Sequence, residues 1–152
     1  MFSQEEIAFS KEWIKTIYDL KKSLDLWALQ NLQDLWENQF QSGYMQFLLL
    51  IDSNGQSNSE LAKQSGISKQ AMSKIIAKLD ELGLVTVNTR AGDKRSSTIA
   101  LSPKGASVVS ESLHRFASLI TDYRKEIGAQ DLEVSRHTLH IAQKLIANSK
   151  LI

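Results

Sequence analysis

From residue 4 to residue 38, apolar side chains return every three or four positions. Trp13, Ile17, Leu20, Leu24 and Trp27 share one stripe, and Leu32, Leu35 and Trp36 carry it on with a drift. That period is helical, so a long helix is predicted. A short second helix follows Gly43, from Tyr44 to about Ile51, and stops at Asp52-Ser53-Asn54-Gly55. The rhythm then changes. Ser57-Asn58-Ser59-Glu60 reads as a capping box, in which Ser57 accepts from a helix amide and Glu60 reaches back to the cap. The helix it opens is brief and ends at Gly66. Ser68 caps the next one, which runs to about Leu82, with Gly83 as terminator.

Beyond Gly83, Leu84–Thr89 and Thr98–Leu101 are short and β-branched, and they flank the charged turn Arg90-Ala91-Gly92-Asp93-Lys94-Arg95. This is the pattern of a β-hairpin. Helix returns at Ser102-Pro103, an N-cap followed by proline where its missing amide costs nothing. Ala106, Val109, Leu113, Phe116, Ile120, Tyr123 and Ile127 then alternate threes and fours. Gly128 interrupts, and a last helix covers about 131–148. The pattern predicts a mainly α fold with a small β-hairpin.

The terminal zones carry long apolar seams that one small lobe cannot bury. An intramolecular helical hairpin would cover part of them. Packing against a second copy covers both, and this twofold homodimer is the expectation. The chain divides accordingly into residues 1–41, a dimerising helical region; 42–101, the central lobe; and 102–152, C-terminal dimerising helices.

Composition narrows the classes. The chain has 152 residues, 42% of them hydrophobic, and a single proline, which suits a helical protein with a real core. It has no cysteine, so disulfides, thiolate metal sites and thiol redox sensing are excluded. Its longest apolar run, Phe47–Ile51, is far below the ~20 residues a bilayer demands. Gln4, Glu5 and Glu6 near the start do not resemble a secretion signal. A cytoplasmic protein without a membrane partner is expected.

Net charge is only +1, but residues 58–104 hold eight Lys or Arg against four Asp or Glu. Between 61 and 79 there are four lysines and no acid. A basic middle on a neutral scaffold is what a phosphate-binding lobe requires. A solvated helix face gives the same count.

The helix after Ser68 decides between them. Met72, Ile75, Ile76, Leu79 and Leu82 form its inner stripe, which puts Gln70, Ser73, Lys74 and Ala77 on the opposite face with Lys69 and Lys78 beside it. Glutamine can pair bidentately with adenine, lysine donates to guanine, and serine serves either base. Ser68 stands at the helix start, where free amides favour a phosphate. The hairpin turn adds Arg90, Lys94 and Arg95, suited to a minor groove. Asp93 beside them is expected to hold Arg90 or Arg95 and fix the turn. Two short helices around a tight glycine turn, then a hairpin, make a winged helix-turn-helix. Its recognition helix is placed at about 69–82 and its wing at about 84–101.

The order of a helix pair, GLV, strand, GDKR turn, strand and LSPKGA opening a long helix resembles the MarR family of winged-helix transcriptional regulators. The resemblance is most specific over residues 57–106. It implies a homodimeric regulator, most often a repressor, that binds double-stranded DNA at an inverted-repeat operator. Carried over, Ser68, Lys69, Gln70, Ser73, Lys74 and Lys78 match the helix contacts, and Arg90, Lys94 and Arg95 match the wing. The family also implies a small aromatic ligand between the dimer helices and the reading head. Trp13, Trp36, Tyr44 and Phe47 could line such a site, although their helical spacing fits ordinary core packing better.

Other signals are thin. His137 and His140 share a helical face and His114 lies on the preceding helix, but no carboxylate converges on them, so no metal and no cofactor is expected. No nucleophile elbow, phosphate loop or dinucleotide fingerprint occurs, and an enzyme is not expected. The rival is a winged-helix protein-interaction module without DNA specificity. Such a module needs an apolar patch on the helix, which Gln70, Ser73 and Lys74 do not provide.

Overall fold

The computed structural model describes residues 1–90 and 93–149, apart from the side chains of Ser42, Arg90 and residues 93–96. Helix α1 spans Gln4–Leu32. It starts at a complete capping box: the Ser3 hydroxyl accepts from the Glu6 amide at 3.1 Å, and the Glu6 carboxylate accepts from the Ser3 amide at 2.7 Å. Those bonds hold the Glu6 carboxyl below its ordinary pKa, the backbone amide of Ser3 contributing most.

The helix stops earlier than its apolar rhythm predicts. A 3-10 turn, Gln33–Trp36, follows, and then Glu37 and Asn38 adopt left-handed backbone. The Gln33 carbonyl accepts from the Asn38 amide at 2.9 Å, and the Gln33 side chain accepts from the Phe40 amide at 3.1 Å. These local bonds reverse the chain without a glycine, so periodicity alone gives no sign of the break.

Helix α2 (Ser42–Leu50) leads into β1 (Gln56–Ser57), a two-residue strand the sequence pattern does not reveal. Helices α3 (Asn58–Ser65) and α4 (Lys69–Glu81) come next, then strands β2 (Val85–Arg90) and β3 (Asp93–Leu101). The sheet order is β1-β3-β2, all antiparallel, with Ile99 opposite both Gln56 and Val87. The first hairpin strand is shifted by one residue from the expected Leu84–Thr89 and the second is longer than expected, so that they pair as far as Arg90 and Asp93 across an irregularity after Asn88. Helices α5 (Pro103–Ile127) and α6 (Ala129–Asn148) complete the chain.

The core joins Leu32, Trp36, Phe40, Met45 and Leu48 to Leu61 of α3, to Met72, Ile76 and Leu79 of α4, and to Leu84, Val85 and Ile99. Each contributes apolar area removed from water, the main driving term of folding. One compact unit runs from Met1 to Ser112 and a second from Leu113 to Ile152. The stripe on α1 stays open: Trp13 is 36% exposed, Leu20 47% and Leu24 39%. Helix α6 buries no residue at all.

Candidate nucleic-acid interface

The site is assembled from α3, the turn after it, α4 and the hairpin. Ser57 caps α3: its hydroxyl accepts from Glu60 at 3.1 Å, while Glu60 accepts from the Ser57 amide at 2.9 Å. The chain turns at Gly66, and Ser68 caps α4 by accepting from the Ala71 amide at 3.1 Å. Met72, Ile76 and Leu79 are buried, which fixes the roll of α4 about its own axis. Lys69, Gln70, Ser73, Lys74 and Ala77 are therefore presented to solvent, with Lys78 half-buried at the margin.

Electrostatically this face is simple. From Lys69 to Leu79 it carries no acid, and Asp80 and Glu81 stand in the last turn. Among the described residues Lys69, Gln70 and Lys74 make no side-chain hydrogen bond or ion pair, so their donors face outward unengaged. Lys78 lies 3.5 Å from Glu81, a long, exposed pair of little energetic weight. A positively charged, short-chained polar helix face is suited to a groove lined with phosphates.

Two predicted residues carry local duties as well. The Ser68 hydroxyl is occupied by its cap. The Ser73 hydroxyl accepts from the Asn58 amide at 2.6 Å and donates to the Lys69 carbonyl at 2.9 Å. Asn58 thus ties α3 to α4, a role sequence reading missed because Asn58 registers there only as part of a capping box. A cleft of about 300 Å3 opens beside this tie, between Asn58, Ser73, Ala77 and Asp80 on the helices and Val87 and Ile99 on the sheet.

The carbonyl end of α4 is closed by a Schellman motif. Leu84 donates to the Leu79 carbonyl at 2.9 Å, and Gly83, at φ 73°, donates to Asp80 at 2.9 Å. The head of α5 adds to it. Ser102 donates its hydroxyl to the Gly83 carbonyl at 2.5 Å and its amide to the Leu84 carbonyl at 3.1 Å. The same hydroxyl accepts from Gly105 at 2.9 Å, so it caps α5 while fastening α4. Gly105 makes this approach feasible: a Cβ there would lie 1.8 Å from the Leu84 carbonyl oxygen.

In the wing, backbone pairing sets Arg90 opposite Asp93 across the hairpin. The side chains of Arg90, Asp93, Lys94 and Arg95, and the turn at 91–92, lie outside the described residues.

The four aromatic residues do not gather at one place. Trp36 is buried and stacks on Tyr44, with centroids 6.4 Å apart and planes at 27°, and it meets Phe40 edge-on at 5.3 Å. Phe47 is half-buried on α2. Trp13 sits roughly 28 Å up α1 from Leu32 at the helical rise of about 1.5 Å per residue. A separate open groove of about 530 Å3 runs along α1, lined by Tyr18, Lys21, Leu26, Leu29, Phe40 and Gln41 among others. Among the described residues no group of three or more His, Asp or Glu is placed to hold a metal ion, and no helix is long and apolar enough to cross a membrane.

Comparison with known proteins follows the same lines. Residues 40–96 match the sequence profile of the MarR family. No curated protein matches the chain in sequence. Among solved structures, Streptococcus pneumoniae FabT in complex with DNA is similar at TM-score 0.78 and 10% identity, covering 93% of this chain and 99% of that one. Staphylococcus aureus MarR in complex with salicylate and kanamycin is similar at TM-score 0.75 and 19% identity, over 93% and 95% of the two chains. A MarR family protein from Bacillus stearothermophilus matches at 0.70 and 13%, over 97% and 100%. Residues 40–96 thus match the MarR family profile, and the chain as a whole has the fold of these solved MarR-type structures.

Proposed function

We propose that this protein is a homodimeric, sequence-specific DNA-binding transcriptional regulator, acting in the cytoplasm as a repressor by occupying an inverted-repeat operator. One observation carries the reading: the outward face of α4 is basic, polar, free of acid through Leu79 and unengaged at Lys69, Gln70 and Lys74. A face of that chemistry on a helix whose roll is fixed by a buried stripe matches a major groove. That a DNA complex of FabT shares the fold supports the same reading. The exposed stripe on α1 and the unburied α6 supply the surfaces for a second copy.

On this reading Lys69, Lys74 and Lys78 meet phosphate or guanine, Gln70 meets adenine, and Ser68 presents the helix N-terminus to a phosphate. Arg90, Lys94 and Arg95 enter the flanking minor groove and Asp93 braces them. Two recognition helices about 34 Å apart select half-sites about 10 bp centre to centre. A small aromatic effector near the Trp36–Tyr44 stack relieves repression, and a salicylate complex of a protein with this fold supports that choice. The protein acts by occupancy, without catalysis.

The test is selection of bound duplexes from a random pool at physiological salt, followed by anisotropy titration against scrambled competitor. A palindromic consensus with about 10 bp spacing is expected. A folded, paired protein that prefers no duplex over competitor overturns the reading.

A further inference from the structure

We propose that Lys104 and Glu37 form a clasp that positions the recognition helix α4, making both residues determinants of sequence discrimination although neither lies on the reading face. The proposal rests on the DNA-binding reading above and adds to it the support of the helix.

The geometry is specific. The Lys104 ammonium donates to the Glu37 carboxylate at 2.9 Å and to the Leu82 carbonyl at 3.0 Å. Leu82 is the C-terminal cap of α4, and its carbonyl is one of the groups an α-helix leaves unsatisfied at that end. A cation there also suits the negative end of the helix dipole. Lys104 thus ties together three segments: the left-handed connector after α1, 67 residues before it, the end of α4, 22 residues before it, and the head of α5.

Both partners are held by backbone that cannot drift. Glu37 sits at φ 53° and ψ 38°, with its amide donating to Gln33, directly after buried Trp36. Lys104 precedes Gly105, whose Cβ-free contact with Leu84 sets the head of α5 against the end of α4. Leu35, Trp36, Leu82 and Leu84 close up under the ion pair and leave a crevice of only about 10 Å3.

The pair does little for stability. Its side chains are 47% and 65% exposed, and ion pairs in water contribute little because solvent screens them and ordering two long chains costs entropy. Its effect is geometric. The inner stripe sets the roll of α4, and Ser68 and the Schellman motif satisfy its ends, while the clasp fixes where its carbonyl end sits relative to the connector. Base-edge hydrogen bonds depend on that placement; phosphate contacts tolerate far more slack.

The experiment compares wild type with Glu37→Gln, Lys104→Met, the double variant and Lys104→Arg. Amide hydrogen exchange at Leu82, Gly83 and Leu84 is measured without DNA, and the affinity ratio between selected palindrome and random duplex is measured with it. Glu37→Gln should speed exchange at these amides and lower the affinity ratio about fivefold, the low end of one misaligned base contact. It should not weaken binding to random duplex, since the change removes a negative charge. The double variant should be no worse than Lys104→Met, and Lys104→Arg should restore the ratio. Unchanged exchange at Leu82–Leu84, or an affinity ratio equal to wild type in Glu37→Gln, overturns the clasp. A wild type without palindrome preference overturns the DNA reading instead, and the exchange measurement then decides the clasp alone.

Discussion

The Asn58 amide donates to the Ser73 hydroxyl at 2.6 Å, joining the first helix of the reading head to the second. Because that hydroxyl gives its own proton to the Lys69 carbonyl, Ser73 retains one acceptor lone pair and no donor. If it reads a base, it reads a donor such as the adenine or cytosine amino group. Replacing Ser73 by Ala strands the Asn58 amide. The variant should lose about 1 kcal/mol of stability, seen as a lower urea midpoint, while binding to random duplex is retained.

Lys74 and Gln70 stand side by side on the exposed face but should behave differently. Lys74→Ala should weaken binding to palindrome and random duplex alike, and lower the slope of log affinity against log salt by about one. Gln70→Ala should leave that slope unchanged and cost about 1–3 kcal/mol at one position of the consensus. Titrations at several salt concentrations separate the two.

Gly105 admits no side chain, since its Cβ would fall 1.8 Å from the Leu84 carbonyl oxygen, a backbone atom that cannot rotate away. Gly105→Ala should destabilise the reading head by about 3 kcal/mol or more, read from denaturant unfolding. Ala106→Gly, one residue along, is the control. It should cost only about 1 kcal/mol through helix propensity.

The capping box of α1 makes its first turn sensitive to acid. Glu6 is held below its ordinary carboxyl value by the Ser3 amide and hydroxyl. A depressed carboxyl contributes fully above its unfolded pKa, and its contribution disappears as pH falls through the lowered folded value. Amide chemical shifts of Ser3–Ile7 should report fraying on acidification below about pH 4.5, the ordinary value. In Ser3→Ala that transition should shrink, since the hydroxyl cap is lost, but persist, since the backbone amide at position 3 still bonds Glu6.

Much of the reading head was legible in the chain. Ser57, Glu60, Gly66, Ser68, Gly83 and Pro103 are local punctuation whose effect does not depend on distant contacts, and each stands where it was expected. The inner stripe of α4 followed from helical period alone. Contacts made across the fold were not legible. Asn58 bonds a residue 15 positions on, and Lys104 one 67 positions back, so neither leaves a periodic trace. The end of α1 escaped notice because Glu37 and Asn38 take left-handed backbone through local hydrogen bonds, without a glycine. Strand β1 is too short to show alternation. Helical spacing likewise could not show which aromatics meet: Trp36 stacks on Tyr44, while Trp13 stands ~28 Å up α1 from Leu32.

Helix α6 hides none of its side chains, leaving Val134, Leu139, Ile141, Leu145 and Ile146 in water. Twenty residues of helix in water are only marginally stable without packing. On the homodimer proposed above, in which a second copy covers this face, dilution should act as a denaturant: as the concentration falls, helical signal from the C-terminal segment should fade and the melting temperature should drop by mass action. On that same reading, a cell that makes little of the protein would hold fewer paired copies than its copy number suggests, and abundance itself becomes a setting of the proposed regulator.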